Sequence, residues 1–151
     1  MKDQIDSKLI TALQQNAQTT AQELADMLGL SPSQAARRRQ RLEASGVIVG
    51  YRAQLDAGAL GLGVQAFVQV QLLNHDPTLS KSFNKLIGSQ PEIISAWAMT
   101  GDADLLLRIY SKDLASLNTL IHDILLAHGA VSRVHSQIVM NQIKQDAPLP
   151  A

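Results

Sequence analysis

The sequence predicts an α+β chain in two parts: three helices first, then a βαββαβ domain whose antiparallel sheet carries both helices on one face. Three observations lead there. Apolar residues recur at helical spacing as far as Gly46, and three glycines crowd into Asp56–Gly63. Beyond that point, period-two alternation takes turns with two further helical patterns. The expected boundaries are a helical domain over 1–50, a hinge over 51–63, the sheet domain over 64–145 and a flexible tail over 146–151.

Ile5, Leu9, Ile10 and Leu13 give an amphipathic helix from about Asp3 to Gln15. Thr20-Ala-Gln-Glu23 has the spacing of a capping box, with Leu24 and Leu28 as the buried stripe behind it and Gly29 as the stop. Ser31 suits an N-cap and Pro32 the first helical position, where a missing N–H costs nothing. The helix they open carries Arg37, Arg38, Arg39 and Arg41. Gly46 suits the position past its end, and Val47-Ile48-Val49 reads as a wing or strand. Two helices joined by a tight Gly-containing turn, the second one basic, make a (winged) helix-turn-helix. Gln34, Arg37, Arg38 and Arg41 are expected on one side of this helix and Ala35 and Leu42 on the other. Such a face can neutralise phosphates and bond base edges in a major groove. A merely solvated charged face, or a helical bundle with no nucleic acid, would show the same run of arginines.

After the hinge, Val64, Ala66, Val68, Val70 and Leu72 alternate with Gln65, Gln69 and Gln71, the pattern of a half-buried strand over 64–73. A helix follows from Pro77 to about Gly88, with Leu79, Phe83, Leu86 and Ile87 inward. Strands over Ile93–Met99 and Leu105–Tyr110 flank the turn Thr100-Gly-Asp-Ala-Asp104. Asp113 caps a helix bearing Leu117, Leu120, Ile121, Ile124 and Leu125 that ends near Gly129, and Val131–Ile143 forms the last strand. This order is the split βαβ, or ferredoxin-like, arrangement. It leaves one sheet face uncovered, so the C-terminal domain is expected to be an assembly surface.

Composition narrows the class of protein. The chain of 151 residues has no cysteine, which removes disulfide frameworks and thiolate metal sites. No apolar run approaches the length of a membrane span and the N-terminus lacks the apolar core of a signal peptide, so a cytoplasmic location is expected. The net charge of zero divides unevenly: residues 1–55 carry +2 and residues 56–151 carry −2. Attraction to an anionic partner would therefore come from the local field of one helix rather than from total charge. His75, His122, His128 and His135 form no i, i+3 or i, i+4 pair, and no nucleophile elbow, metalloprotease motif or phosphate-cradling loop is present. Neither catalytic residues, a metal site nor a cofactor is expected. Asp102 and Asp104 are too few to hold a cation unaided.

The string S-P-S…R-R-x-x-R-L-E-x-x-G-V-I-x-G-Y, a Gly-rich hinge and a βαββαβ domain with a Thr-Gly-Asp-x-Asp turn together resemble the Lrp/AsnC (feast/famine) family of transcription regulators. The resemblance covers residues 1 to about 145. It implies a sequence-specific, DNA-binding homo-oligomer, a dimer or tetramer of dimers. Its C-terminal RAM domain would sense a small effector, an amino acid above all, at interfaces between RAM domains. By resemblance, Ser31, Ser33, Gln34, Arg37, Arg38 and Arg41 would contact double-stranded DNA. Met99, Thr100, Gly101, Asp102, Asp104, Ser136 and Ile138 would border the effector. Backbone N–H groups at a Gly-containing turn can hold a carboxylate, and an Asp can hold an ammonium, although a plain hairpin turn has the same composition.

Two residues depart from the pattern. Arg39 stands where similar proteins have Val or Ile, so it must reach water or pair with Glu43 one turn on. Leu105 stands where some relatives carry Tyr. A rival reading makes the βαββαβ domain a sensing module of a metabolic assembly, with the N-terminal helices docking a partner protein. A docking helix would need an exposed apolar stripe where this one has Arg37, Arg38 and Arg41.

Overall fold

A computed structural model describes residues 3–73 and 76–150; His75 lies outside them. The chain divides into two compact units, Met1–Gln54 with Ile143–Ala151, and Leu55–Gln142.

The first unit is built from α1 (Gln4–Gln15), α2 (Ala21–Leu28) and α3 (Pro32–Ala44). Each helix begins at a side chain that can satisfy an orphan N–H of the first turn. Asp3 accepts from the Asp6 N–H, and Thr20 and Ser31 each form a reciprocal capping box, with Glu23 and Gln34 respectively. Gly29 adopts φ +65° between α2 and α3, a left-handed conformation that a Cβ would strain. Leu9, Ile10, Leu13, Leu24, Ala25, Ala35 and Leu42 form the core. The segment at 47–49, expected as a wing or strand, is not a strand. Ile48 folds back, donating its N–H to the Leu42 carbonyl, while Val47 and Val49 stay exposed. A strand needs a neighbour to satisfy its backbone, and among the described residues of this unit the segment pairs with none. Residues near the C-terminus also belong to this unit. The Gln14 amide donates to the Leu149 carbonyl (3.0 Å) and accepts from its N–H (2.7 Å), where the sequence suggested only a flexible tail.

The second unit opens with a compact turn. Asp56 accepts from the Gly58 and Ala59 N–H groups, and Gly63 donates to the Lys112 carbonyl. The glycines that suggest a hinge thus serve a hydrogen-bonded turn. Next come β1 (Val64–Leu72), α4 (Pro77–Ser89), β2 (Ile93–Ala98), β3 (Leu105–Ser111), α5 (Leu114–Thr119) and β4 (Val131–Ile138). The strands form one antiparallel sheet in the order β2-β3-β1-β4, the expected ferredoxin-like topology. Ala66, Val68, Val70, Leu107 and Ile109 face Phe83, Ile87, Leu117 and Leu125 in the core.

Two expectations about length need correcting. The second helix continues beyond Thr119 as a π-helical segment over Leu120–Leu125, not as a uniform α-helix. The last strand ends at Ile138, not Ile143. Its partner β1 begins at Val64, so after Val139 donates to the Gln65 carbonyl no backbone remains to pair with.

Candidate nucleic-acid interface and effector site

The four arginines of α3 meet different fates. Arg38 Nη1 donates to Asp3 Oδ2 and to Asp6 Oδ1, both at 2.7 Å, and Arg41 Nη2 donates to Asp6 Oδ2 at 2.7 Å. Asp6 is 1% exposed, and the two guanidiniums satisfy both of its buried carboxylate oxygens. The Asp6 backbone N–H, and then Arg38, hold the Asp3 carboxyl below its ordinary pKa, while the two carboxylates raise that of Arg38. Arg38 is therefore part of the joint between α1 and α3. Arg41, whose side chain is 59% exposed, keeps donors for an outside anion.

Arg39 meets its expected partner: Nε donates to Glu43 Oε1 at 3.0 Å and Nη1 to the Thr19 carbonyl at 3.3 Å. Its guanidinium lies 4.8 Å from the Tyr51 ring centroid, and the Tyr51 hydroxyl donates to the same Glu43 oxygen at 2.8 Å. Those two donors, Tyr51 first, lower the Glu43 pKa. Only Arg37 of the four has no ion pair among the described residues, and it is exposed.

Ser31, Ser33 and Gln34 are also exposed. The Gln34 amide oxygen, however, accepts the Ser31 N–H at 3.0 Å, and the Ser31 and Ser33 hydroxyls lie 3.1 Å apart. The outermost stripe of α3 is Ser33, Arg37, Gln40 and Ala44, all exposed and spaced by four, three and four residues. Reasoning from sequence missed Gln40. Placing the buried face at Ala35 and Leu42, about 150° around the helix from Gln40, would have found it.

In the second unit the turn between β2 and β3 sits at one end of the sheet. Gly101 has φ +107°, which favours glycine. Met99, Thr100 and Asp102 are exposed. Asp104 is engaged: its Oδ2 accepts the Leu72 N–H at 2.7 Å and its own N–H donates to the Val70 carbonyl at 3.0 Å. The β1–β3 ladder ends at Val70–Leu105, so the carboxylate satisfies the next outward N–H of β1.

Asp102 and Ala103 border an open groove of about 360 Å³ with Gln69, Gln71, Arg133, Val134 and His135. Gln69 pairs with His135 and Gln71 with Arg133, placing these four side chains on the sheet face away from the helices. Ser136 and Ile138 pair with the core residues Val68 and Ala66 and so lie on the opposite face of the edge strand. The seven residues expected around an effector therefore do not converge within one copy of the chain.

A helix-turn-helix unit with a basic, capped second helix, followed by a ferredoxin-like domain with a mixed-charge groove, defines a DNA-binding regulator with a ligand-binding domain. Comparison with known proteins agrees with that class. Residues 2–49 match the model for winged helix-turn-helix DNA-binding domains, and residues 65–149 match the Lrp/AsnC ligand binding domain. The leucine-responsive regulatory protein of Rhizobium meliloti is 36% identical, over 94% of this chain and 91% of its own length. The DNA-binding transcriptional activator DecR of Escherichia coli is 32% identical over 99% of both chains. A transcriptional regulator of Neisseria meningitidis, solved as a complex with L-Met, superposes with a TM-score of 0.95 at 33% identity, covering 99% of this chain and 97% of that one. The protein belongs to the Lrp/AsnC family of transcription regulators. Among the described residues no group of three metal-ligating side chains occurs, and no helix is long and apolar enough to cross a membrane.

Proposed function

We propose that the chain is an amino-acid-responsive transcription regulator acting on DNA in the cytoplasm, with α3 in the major groove and no chemical step of its own. The mixed-charge groove carries the effector half of this reading. Arg133 supplies a guanidinium for a carboxylate, Asp102 a carboxylate for an ammonium, and Gln69 and Gln71 supply amides between them. The L-Met bound to the Neisseria regulator supports an amino acid as the ligand class. Met99, Thr100 and Gly101 flank Asp102 on its turn, whereas Asp104, Ser136 and Ile138 serve the sheet or its other face.

The same sheet face supports assembly. Phe67, Leu106 and Tyr110 lie on it half-exposed and Trp97 lies on it 44% exposed, with no helix or strand of this unit's described residues packed over them. An apolar area of this kind favours a homodimer, and dimers can associate further. Calorimetric titration with the twenty amino acids tests the effector: at least one should bind, and Arg133→Ala or Asp102→Asn should weaken it at least tenfold. Binding unaffected by both variants would move the site elsewhere. Light scattering that gave a monomer at micromolar concentration would refute the assembly.

A further inference from the structure

Three of the α3 arginines are tied to carboxylates, so base discrimination must come from side chains that keep their donors and acceptors. Direct readout needs a side chain exposed on the outermost stripe of the helix and with both hydrogen-bonding atoms unoccupied. Gln34 fails this condition, because its amide oxygen is spent on the Ser31 N–H. Arg38 fails as well, with its side chain only 24% exposed and bound to Asp3 and Asp6. Arg37 and Gln40 satisfy it: both are exposed and neither has a side-chain partner among the described residues.

We propose that Arg37 and Gln40 are the specificity-determining pair of this chain, reading a guanine and a neighbouring adenine, while Arg38 acts as a positioning residue through Asp6. This rests on the reading of α3 as the helix that enters the major groove. An arginine donates two bonds to guanine O6 and N7, and a glutamine amide bonds adenine N6 and N7 in a bidentate pair. Three residues of helix separate the two side chains by about 4.5 Å along the axis, comparable to the ~3.4 Å between successive bases of one strand. Arg41 lies at the edge of the stripe, where its spare donors suit a phosphate and carry no sequence information.

Selection of duplexes from a randomised pool by the full-length protein tests this. The parent should enrich a motif containing G and A at neighbouring base pairs. Gln40→Ala should lose the preference for A at one position and leave the rest of the motif unchanged, and Gln40→Glu should move that position toward C, whose exocyclic amine donates to a carboxylate. Arg37→Ala should lose the preference for G. At each altered position the discrimination lost should be roughly 5- to 150-fold, the range of one bidentate contact. Arg38→Lys should weaken binding to all sequences alike and leave the motif intact. Gln40 and Arg37 variants that select the parent's motif would overturn the assignment, as would an Arg38→Lys protein with an altered motif. A parent that enriches no motif would instead refute the reading of α3 itself.

Discussion

Arg38 and Arg133 lie on polar surfaces of the two units, and the fold treats them in opposite ways. Arg38 gives one nitrogen to two carboxylates, one of them buried, and so joins α1 to α3. Arg133 lines the groove with Asp102 and His135 and is exposed, and its side chain has no hydrogen bond or ion pair among the described residues. The same division separates Asp102 and Asp104, two positions apart on one turn: the carboxylate of Asp104 completes a strand, while Asp102 lines the groove. Clustering and charge draw attention to Arg38, Arg41 and Asp104, but what a side chain can offer a ligand depends on what the fold has already claimed.

The largest effect expected from this division is at Asp6. Hydrogen bonds to charged groups contribute about 1.5–3 kcal/mol each, and Asp6→Ala removes the partner of two arginines at once. Stability should fall by about 3 kcal/mol, which lowers Tm by more than about 10 °C in a domain of this size. A melt within a few degrees of the parent would mean that the α1–α3 joint does not depend on this acid.

Asp104 should come next. Asp104→Ala leaves the Leu72 N–H without an acceptor, at a cost of about 1–3 kcal/mol. Asp104→Asn keeps an acceptor and should stay close to the parent in chemical denaturation. If Asp104→Ala were fully stable but blind to an effector, the carboxylate would belong to the groove and not to the sheet.

Acid should act on the first unit through Asp3. Its folded pKa is lowered, by the Asp6 N–H and then by Arg38, so the stability it contributes is present above the ordinary carboxylate range and is lost as pH falls through the folded value. Melting temperature should hold from neutrality to about pH 5 and decline below about pH 4. Asp3→Asn should show a shallower decline over that window.

The smallest effect is expected at Arg39. Its bond to Glu43 is a partly exposed i, i+4 pair, a type that contributes at most about 1 kcal/mol. Arg39→Val should change stability by no more than that and leave DNA binding intact. A larger loss would give the Arg39–Glu43–Tyr51 cluster a role in holding the chain that leaves α3.

The order of elements could be read from sequence because each depends on neighbours close in the chain. Caps at Thr20, Ser31 and Asp113 and the alternation over 64–72 are local signals, and all appear in the structure. The pairing of Arg39 with Glu43 is also local and could be foreseen. What stayed hidden depends on distant partners. Asp6 lies 32 and 35 residues from the arginines it binds, and the Leu72 N–H lies 32 residues from Asp104. At about 100° per residue Arg38 falls within about 60° of the buried Ala35 and Leu42, but only the position of α1 shows that it meets Asp6. The groove likewise depends on strand register, which places Gln69 and Gln71 beside His135 and Arg133.

The most direct measurement of the central claim compares Arg37→Ala with Arg38→Ala, taking melting temperature and affinity for the selected duplex on the same preparations. Arg37→Ala should melt like the parent and lose affinity by about 1–3 kcal/mol, the range of one base contact. Arg38→Ala should melt at a measurably lower temperature. The opposite pattern, with Arg37→Ala destabilised and Arg38→Ala stable yet defective in DNA binding, would contradict the division between arginines that hold the fold and the one that reads the duplex.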